Sequence, residues 1–98
     1  MYSMEHLFTL ITAEKARELR LRADNPPIMV LEEEQHPLQG PPISGEDVLQ
    51  LLRSVANSRQ MRELRESGAV RFVYTLPNRS PFVVQARMDG QNVAFAVS

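Results

Sequence analysis

Cysteine and tryptophan are absent from the 98-residue chain, and lysine occurs once, at Lys15. Without thiols there can be no disulfide, iron–sulfur ligation or cysteine nucleophile. The two isolated histidines, His6 and His36, do not make a structural zinc set. With a single lysine and four glycines, the pattern Gly-x-x-x-x-Gly-Lys-Ser/Thr does not occur, so phosphate-loop hydrolysis of a nucleotide is excluded for these residues. No apolar run approaches the ~20 residues of a membrane span. The opening Met1-Tyr2-Ser3-Met4-Glu5-His6 lacks the basic segment of a secretory signal. A net charge of −1 gives no general attraction to nucleic acid or anionic membrane. Together these absences predict a cytoplasmic, non-enzymatic domain with no cofactor, no metal, no nucleic-acid partner and no membrane span.

What is present is ordinary for a globular protein: 43% hydrophobic and 23% charged residues, enough for one modest core, so residues 1–98 read as a single domain. Met4, Leu7, Phe8 and Ile11 share one face of a helix opened by Ser3, a pattern that takes in Lys15. Arg17 to Arg22 alternates, with Leu19 and Leu21 on one side, as a half-buried strand does. Asp24-Asn25-Pro26-Pro27 must interrupt it, because two prolines remove two backbone donors. Ile28 to Leu31 reads as a second strand ending at Glu32-Glu33-Glu34, with a brief pairing segment at His36 to Leu38. On a strand only Glu32 and Glu34 would converge on a cation. The plainer reading is a charged edge that discourages sheet-to-sheet pairing.

Ser44 with Asp47 marks a helix start, which accounts for the serine better than a nucleophile without a nearby histidine. Val48, Leu51, Leu52 and Val55 form the buried face, Asn57-Ser58 breaks the helix, and Met61 and Leu64 belong to a third helix stopped by Gly68. From Ala69 the period returns to two. Val70, Phe72, Tyr74 and Leu76 form one alternating set, followed by a turn at Pro77-Asn78-Arg79-Ser80. Phe82, Val84, Ala86 and Met88 form the next. Asp89-Gly90 is expected to be the centre of a hairpin turn before Val93, Phe95 and Val97. The order predicts an α+β fold: a curved antiparallel sheet with helices packed on one face.

Arginine is the informative charge. Six arginines and two glutamates lie between Arg53 and Arg79, so the rest of the chain is acidic. Arginine's planar fork suits carboxylate or phosphate partners and protein interfaces. Arg59, Arg62, Arg65 and Arg71 are therefore the candidate protein-interaction residues. Against this stands a simply solvated helix face, with Arg59–Glu63 and Arg62–Glu66 spaced as helical ion pairs. RNA binding would call for exposed aromatics among the arginines, whereas the aromatics alternate as core residues.

Taken in order, these segments are a leading helix, Arg17-Glu18-Leu19-Arg20-Leu21-Arg22, Asn25-Pro26-Pro27 with an apolar strand, and a proline-bounded loop. After them come Val48-Leu49-Gln50-Leu51-Leu52 in a helix pair, Gly68, and Phe72-Val73-Tyr74. The chain thus resembles the N-terminal domain of type IV pilus retraction ATPases and related type II secretion ATPases. The resemblance implies a PAS-like sheet that precedes a RecA-like motor domain and packs, in a hexamer, on the motor domain of the neighbouring subunit. It implies a motor domain absent here, since Val97-Ser98 falls about where the last strand of the N-terminal domain finishes.

It also implies arginines near the bound nucleotide at positions that here hold Pro81, Val83 and Ala96, and an acidic residue where Arg71 stands. The expectation is a non-catalytic interaction or assembly module whose partner is a neighbouring motor domain, a pilus or secretion component, or a second copy of itself. One alternative is an excised piece of a working twitching-motility or secretion ATPase, whose reading frame continues past Ser98. Another is a small-ligand sensor whose inner sheet face, with Val70, Phe72, Phe82, Val84, Phe95 and Val97, cups a ligand.

Overall fold

The computed structural model describes residues 2–77 and 79–98. Met1 and Asn78, the latter in the expected Pro77–Ser80 turn, lie outside the described residues. Three helices, α1 (Met4–Glu14), α2 (Gly45–Arg53) and α3 (Ser58–Ser67), accompany six strands. These are β1 (Glu18–Leu21), β2 (Ile28–Leu31), β3 (Glu34–Pro37), β4 (Ala69–Tyr74), β5 (Phe82–Asp89) and β6 (Asn92–Val97). The strands form one antiparallel sheet in the order β3-β2-β1-β6-β5-β4, whose two outermost strands do not meet. The expected α+β architecture, an unclosed curved sheet with helices on one face, is what the chain adopts.

Alternation fixes which face is inner. Leu19, Leu21, Val70, Phe72, Phe82, Val84, Ala86, Phe95 and Val97 are all buried, and the helices cover them with Leu7, Phe8, Val48, Leu52 and Leu64. Phe8 stacks on Phe82 at 4.5 Å and on Tyr74 at 5.5 Å between ring centroids, so one aromatic of α1 holds two neighbouring strands. No polar or charged residue is buried among the described residues, so the core carries no unpaired polar group. The inner-face side chains fill the interior by packing on one another, as a domain of this length requires.

The helix ends follow the capping rules. Ser3 and Ser44 accept from the backbone N–H of His6 and Asp47, and Asn57 with Gln60 closes a reciprocal box at the start of α3. Gly68 ends α3 at φ 82°, a left-handed conformation that costs glycine nothing. Four details differ from the sequence reading. Lys15 is not inside α1 but terminates it at φ 53°, where its N–H satisfies carbonyls of the last turn. Glu32 and Glu33 are the two-residue loop joining β2 to β3, with Glu32 at φ 54°, so Glu32 and Glu34 are not neighbours along one strand face. The third strand consequently begins at Glu34 rather than near His36.

In the β5–β6 hairpin the ladder runs one residue further than expected. Asp89 pairs with Asn92, which leaves Gly90-Gln91 as the loop, with Gly90 at φ 66°. Glycine supplies the positive φ at the first central position alone, the requirement of a type II′ rather than a type I′ turn. At Lys15 the same conformation is borne by a residue with a Cβ, at a cost of order 1–2 kcal/mol. Lys15→Gly is therefore expected to stabilise the domain by up to about 1 kcal/mol, read as a higher urea midpoint at unchanged m-value.

Candidate protein-docking surface

The four sequence-designated arginines divide between two adjoining surfaces. Met61 and Leu64 turn inward from α3, which leaves Arg59, Arg62 and Arg65 exposed on its outer side. Among the described residues Arg20 pairs with Glu18 at 2.8 Å, and His36 Nε2 lies 3.2 Å from a Glu34 carboxylate oxygen. Arg59–Glu63 and Arg62–Glu66 do not close, because exposed pairs of this kind gain only about 0.3–0.5 kcal/mol against the freedom of two long side chains. Arg71 is elsewhere. It points from β4 to the face of the sheet that the helices leave bare.

That open face is assembled by the strand ladder. Arg20 of β1 lies opposite Ala96 of β6, Ala96 opposite Gln85 of β5, and Gln85 opposite Arg71 of β4. One step along, Ala94 lies opposite Arg87, and Arg87 opposite Ala69. Arg22 follows β1 on the same side as Arg20, since it is two residues on. The result is a shallow concavity of about 830 Å³. Ala94 and Ala96 form its floor, with Arg20 and Arg22 on one wall, Arg71 and Arg87 on the other, and Glu63 of α3 on its rim.

Arg20, Arg22 and Arg87 were not among the residues marked by sequence reasoning. Their segments are far apart in the chain, and only the pairing of β1 with β6 brings them together. The signal available in advance was weak: arginines at alternating positions of Arg20-Leu21-Arg22, opposite in phase to the buried leucines.

Val83 and Ala96, two of the positions where the resemblance implies arginine, also lie on this face, and Pro81 stands just before β5. Val83 pairs with Val73, which is 58% exposed, so that end of the face is apolar while the cations gather at the other. A second, smaller concavity of about 280 Å³ is lined by Tyr2, Pro41, Pro42, Ile43, Asp47 and Leu51. No group of three His, Asp or Glu side chains positioned to hold a metal occurs among the described residues. No helix among them is long and apolar enough to cross a membrane.

An open antiparallel sheet of this order, backed by three helices, is the fold of the N-terminal domain of motor ATPases. The solved structures that share it include the pilus retraction motor PilT with bound ADP. The superposition has a TM-score of 0.90 at 21% identity over 99% of this chain and 29% of that one. The Legionella pneumophila ATPase DotB gives 0.81 at 13% identity over 98% of this chain and 28% of its own. The Yersinia pseudotuberculosis ATPase DotB gives 0.71 at 10% identity, over 96% and 28%. The chain thus spans under a third of the length of each of these ATPases. No family model matches the chain, and no curated protein sequence matches it.

Proposed function

We propose that residues 1–98 form a single PAS-like docking domain related to the N-terminal domains of pilus and secretion motor ATPases. On this reading it acts in the cytoplasm through protein contacts and performs no nucleotide chemistry of its own. The observation that carries this reading is the exposure of two adjoining arginine surfaces, α3 with Arg59, Arg62 and Arg65, and the bare sheet face with Arg71. Arginine forks held by a rigid helix and sheet recognise carboxylates on a partner at little ordering cost. The partner is a RecA-like motor domain, another component of a pilus or secretion machine, or a second copy of the chain.

The neutral residues at Pro81, Val83 and Ala96 favour docking over a share in a nucleotide site. The filled inner face, where Val84 and Val97 are fully buried, favours packing over a ligand-sensing core. The superposition on PilT over nearly the whole of this chain and 29% of PilT supports a second reading, an excised segment of a working hexameric ATPase. A reading frame that continues past Ser98 into a phosphate loop would select it.

The test mixes the chain with ATP and Mg²⁺, and separately with a purified RecA-like motor domain. Phosphate release no faster than the buffer blank, together with a salt-sensitive shift in sedimentation with the motor domain, is the expected result. Turnover of ATP by the chain alone overturns the proposal.

A further inference from the structure

We infer that the bare sheet face, rather than α3, is the principal docking site, and that its occupant is a carboxylate-rich polypeptide segment of a partner protein lying along β6. The inference rests on the docking function proposed above and names the surface and chemistry of the contact.

Charge complementarity carries the argument. The chain as a whole has a net charge of −1, yet four arginines line this one concavity against Glu18 and the rim residue Glu63. Arg22, Arg71 and Arg87 have no carboxylate at ion-pair distance among the described residues. Arg20 donates its Nε–H to Glu18 at 2.8 Å, and its side chain remains about half exposed. A solvated surface in an acidic protein gains nothing by concentrating like charges in this way. Their mutual repulsion is relieved when an anion lies between them.

The spacing selects among anions. Arg20 and Arg22 belong to one wall and Arg71 and Arg87 to the other, with β6 between them. Neighbouring strands lie about 4.8 Å apart, so the backbones of β1 and β5 are separated by about 10 Å, and those of β1 and β4 by about 14 Å. Arg20 and Arg71 end one row of the ladder and Arg87 lies in the next. The forks are thus spread over more than one row and suit several carboxylates along a segment, and a helix about 10–12 Å across fits the width.

The floor agrees. Ala94 and Ala96 offer small apolar side chains along β6 for the partner's backbone, while carboxylates on either flank meet the two walls. Beyond the concavity, Val83 of β5 and Val73 of β4 continue the apolar surface. Nucleic acid is disfavoured because no aromatic side chain of the sheet turns to this side. Phe72, Phe82 and Phe95 are all buried on the inner face, which leaves no platform for stacking bases.

The probe is a fluorescein-labelled helical peptide of about 20 residues, with an alanine and leucine stripe flanked on both sides by glutamate, followed by fluorescence anisotropy. The expected result is saturable binding that weakens as salt rises. It should be lost at least tenfold in Arg71→Glu/Arg87→Glu and change less than threefold in the α3 variant Arg59→Glu/Arg62→Glu. Gln85→Glu, an isosteric change at the exposed centre of the trough, should weaken binding about fivefold and serves if the double variant does not fold.

Equal binding of a lysine-for-glutamate version of the peptide overturns the inference. So does indifference to the open-face variants, and so does displacement by sodium tripolyphosphate at concentrations stoichiometric with the protein, which would identify a phosphate site. If a motor domain still binds the open-face variants at full strength, docking stands and the surface assigned here is wrong. If it binds neither the native chain nor any variant, the docking function itself fails.

Discussion

Phe8→Ala is expected to cost the domain about 3–5 kcal/mol, the range for removing a fully buried aromatic. Phe8 is 1% exposed, and its ring lies within 4.5 Å of Phe82 and 5.5 Å of Tyr74. The substitution therefore removes both apolar burial and two stacking contacts from the seam between α1 and the β4–β5 pair. Because domains of this size hold only about 5–15 kcal/mol in total, the loss should bring the unfolded form close to a detectable fraction in water. Urea denaturation followed by far-ultraviolet circular dichroism measures it. Val73→Ala, at a position 58% exposed, is the control and should move the midpoint by less than about 0.5 kcal/mol. A loss below 1 kcal/mol at Phe8 would mean that α1 is not seated as the stack indicates.

The second large effect falls on β6. This strand is paired on both sides, with Arg20 opposite Ala96 on one flank and Gln85 on the other, and it alone joins β3-β2-β1 to β5-β4. Proline in such a strand removes a ladder donor and sets its ring against the neighbouring chain, which is why it is confined to sheet edges. Ala96→Pro should therefore abolish cooperative folding, whereas Ala96→Ser should leave the urea midpoint within about 1 kcal/mol of the parent. Size-exclusion chromatography and the near-ultraviolet spectrum would report the failure. A proline variant with a native-like transition would show that the two half-sheets stand independently.

Much of this architecture is written in local patterns. The helix faces of Met4, Leu7, Phe8 and Ile11 and of Val48, Leu51 and Leu52 are buried as their spacing requires. So are Val70, Phe72, Phe82, Val84, Ala86, Val93, Phe95 and Val97 of the alternating sets, whereas Tyr74 and Leu76 are half-buried and Met88 is exposed at the end of β5. These are the cases in which one side of an element meets the core and the other meets water, so composition alone encodes orientation. Turn placement was legible only to within one or two residues. The loop at Gly90-Gln91 and the loop at Glu32-Glu33 are set by how far each ladder extends, and glutamate at positive φ announces nothing in a sequence.

The candidate site was half visible. A cluster such as Arg59, Arg62, Arg65 and Arg71 shows itself because its members are close in the chain. Arg87 joins Arg71 through the β4–β5 pairing, but Arg20 and Arg22 join them only through the contact of β1 with β6, a long-range pairing that no local periodicity states. The separation of Arg71 from the α3 arginines, by contrast, follows from the change of period at Gly68. Crossing Gly68 exchanges a helical period for a strand period, and a run of like residues is then sent to different faces.

The place of β6 in the sheet has a consequence for how the molecule is made. During synthesis the hairpin of β2 and β3 with β1 emerges early, and Leu19 and Leu21 must wait beside an empty slot until residues 92–97 have left the ribosome. Until then the β1 edge of that half-sheet is unpaired, and β6 acts as the key that shuts the seam. A pairing of such wide sequence separation costs loop-closure entropy before its contacts form, so the β1–β6 seam is the late step of folding.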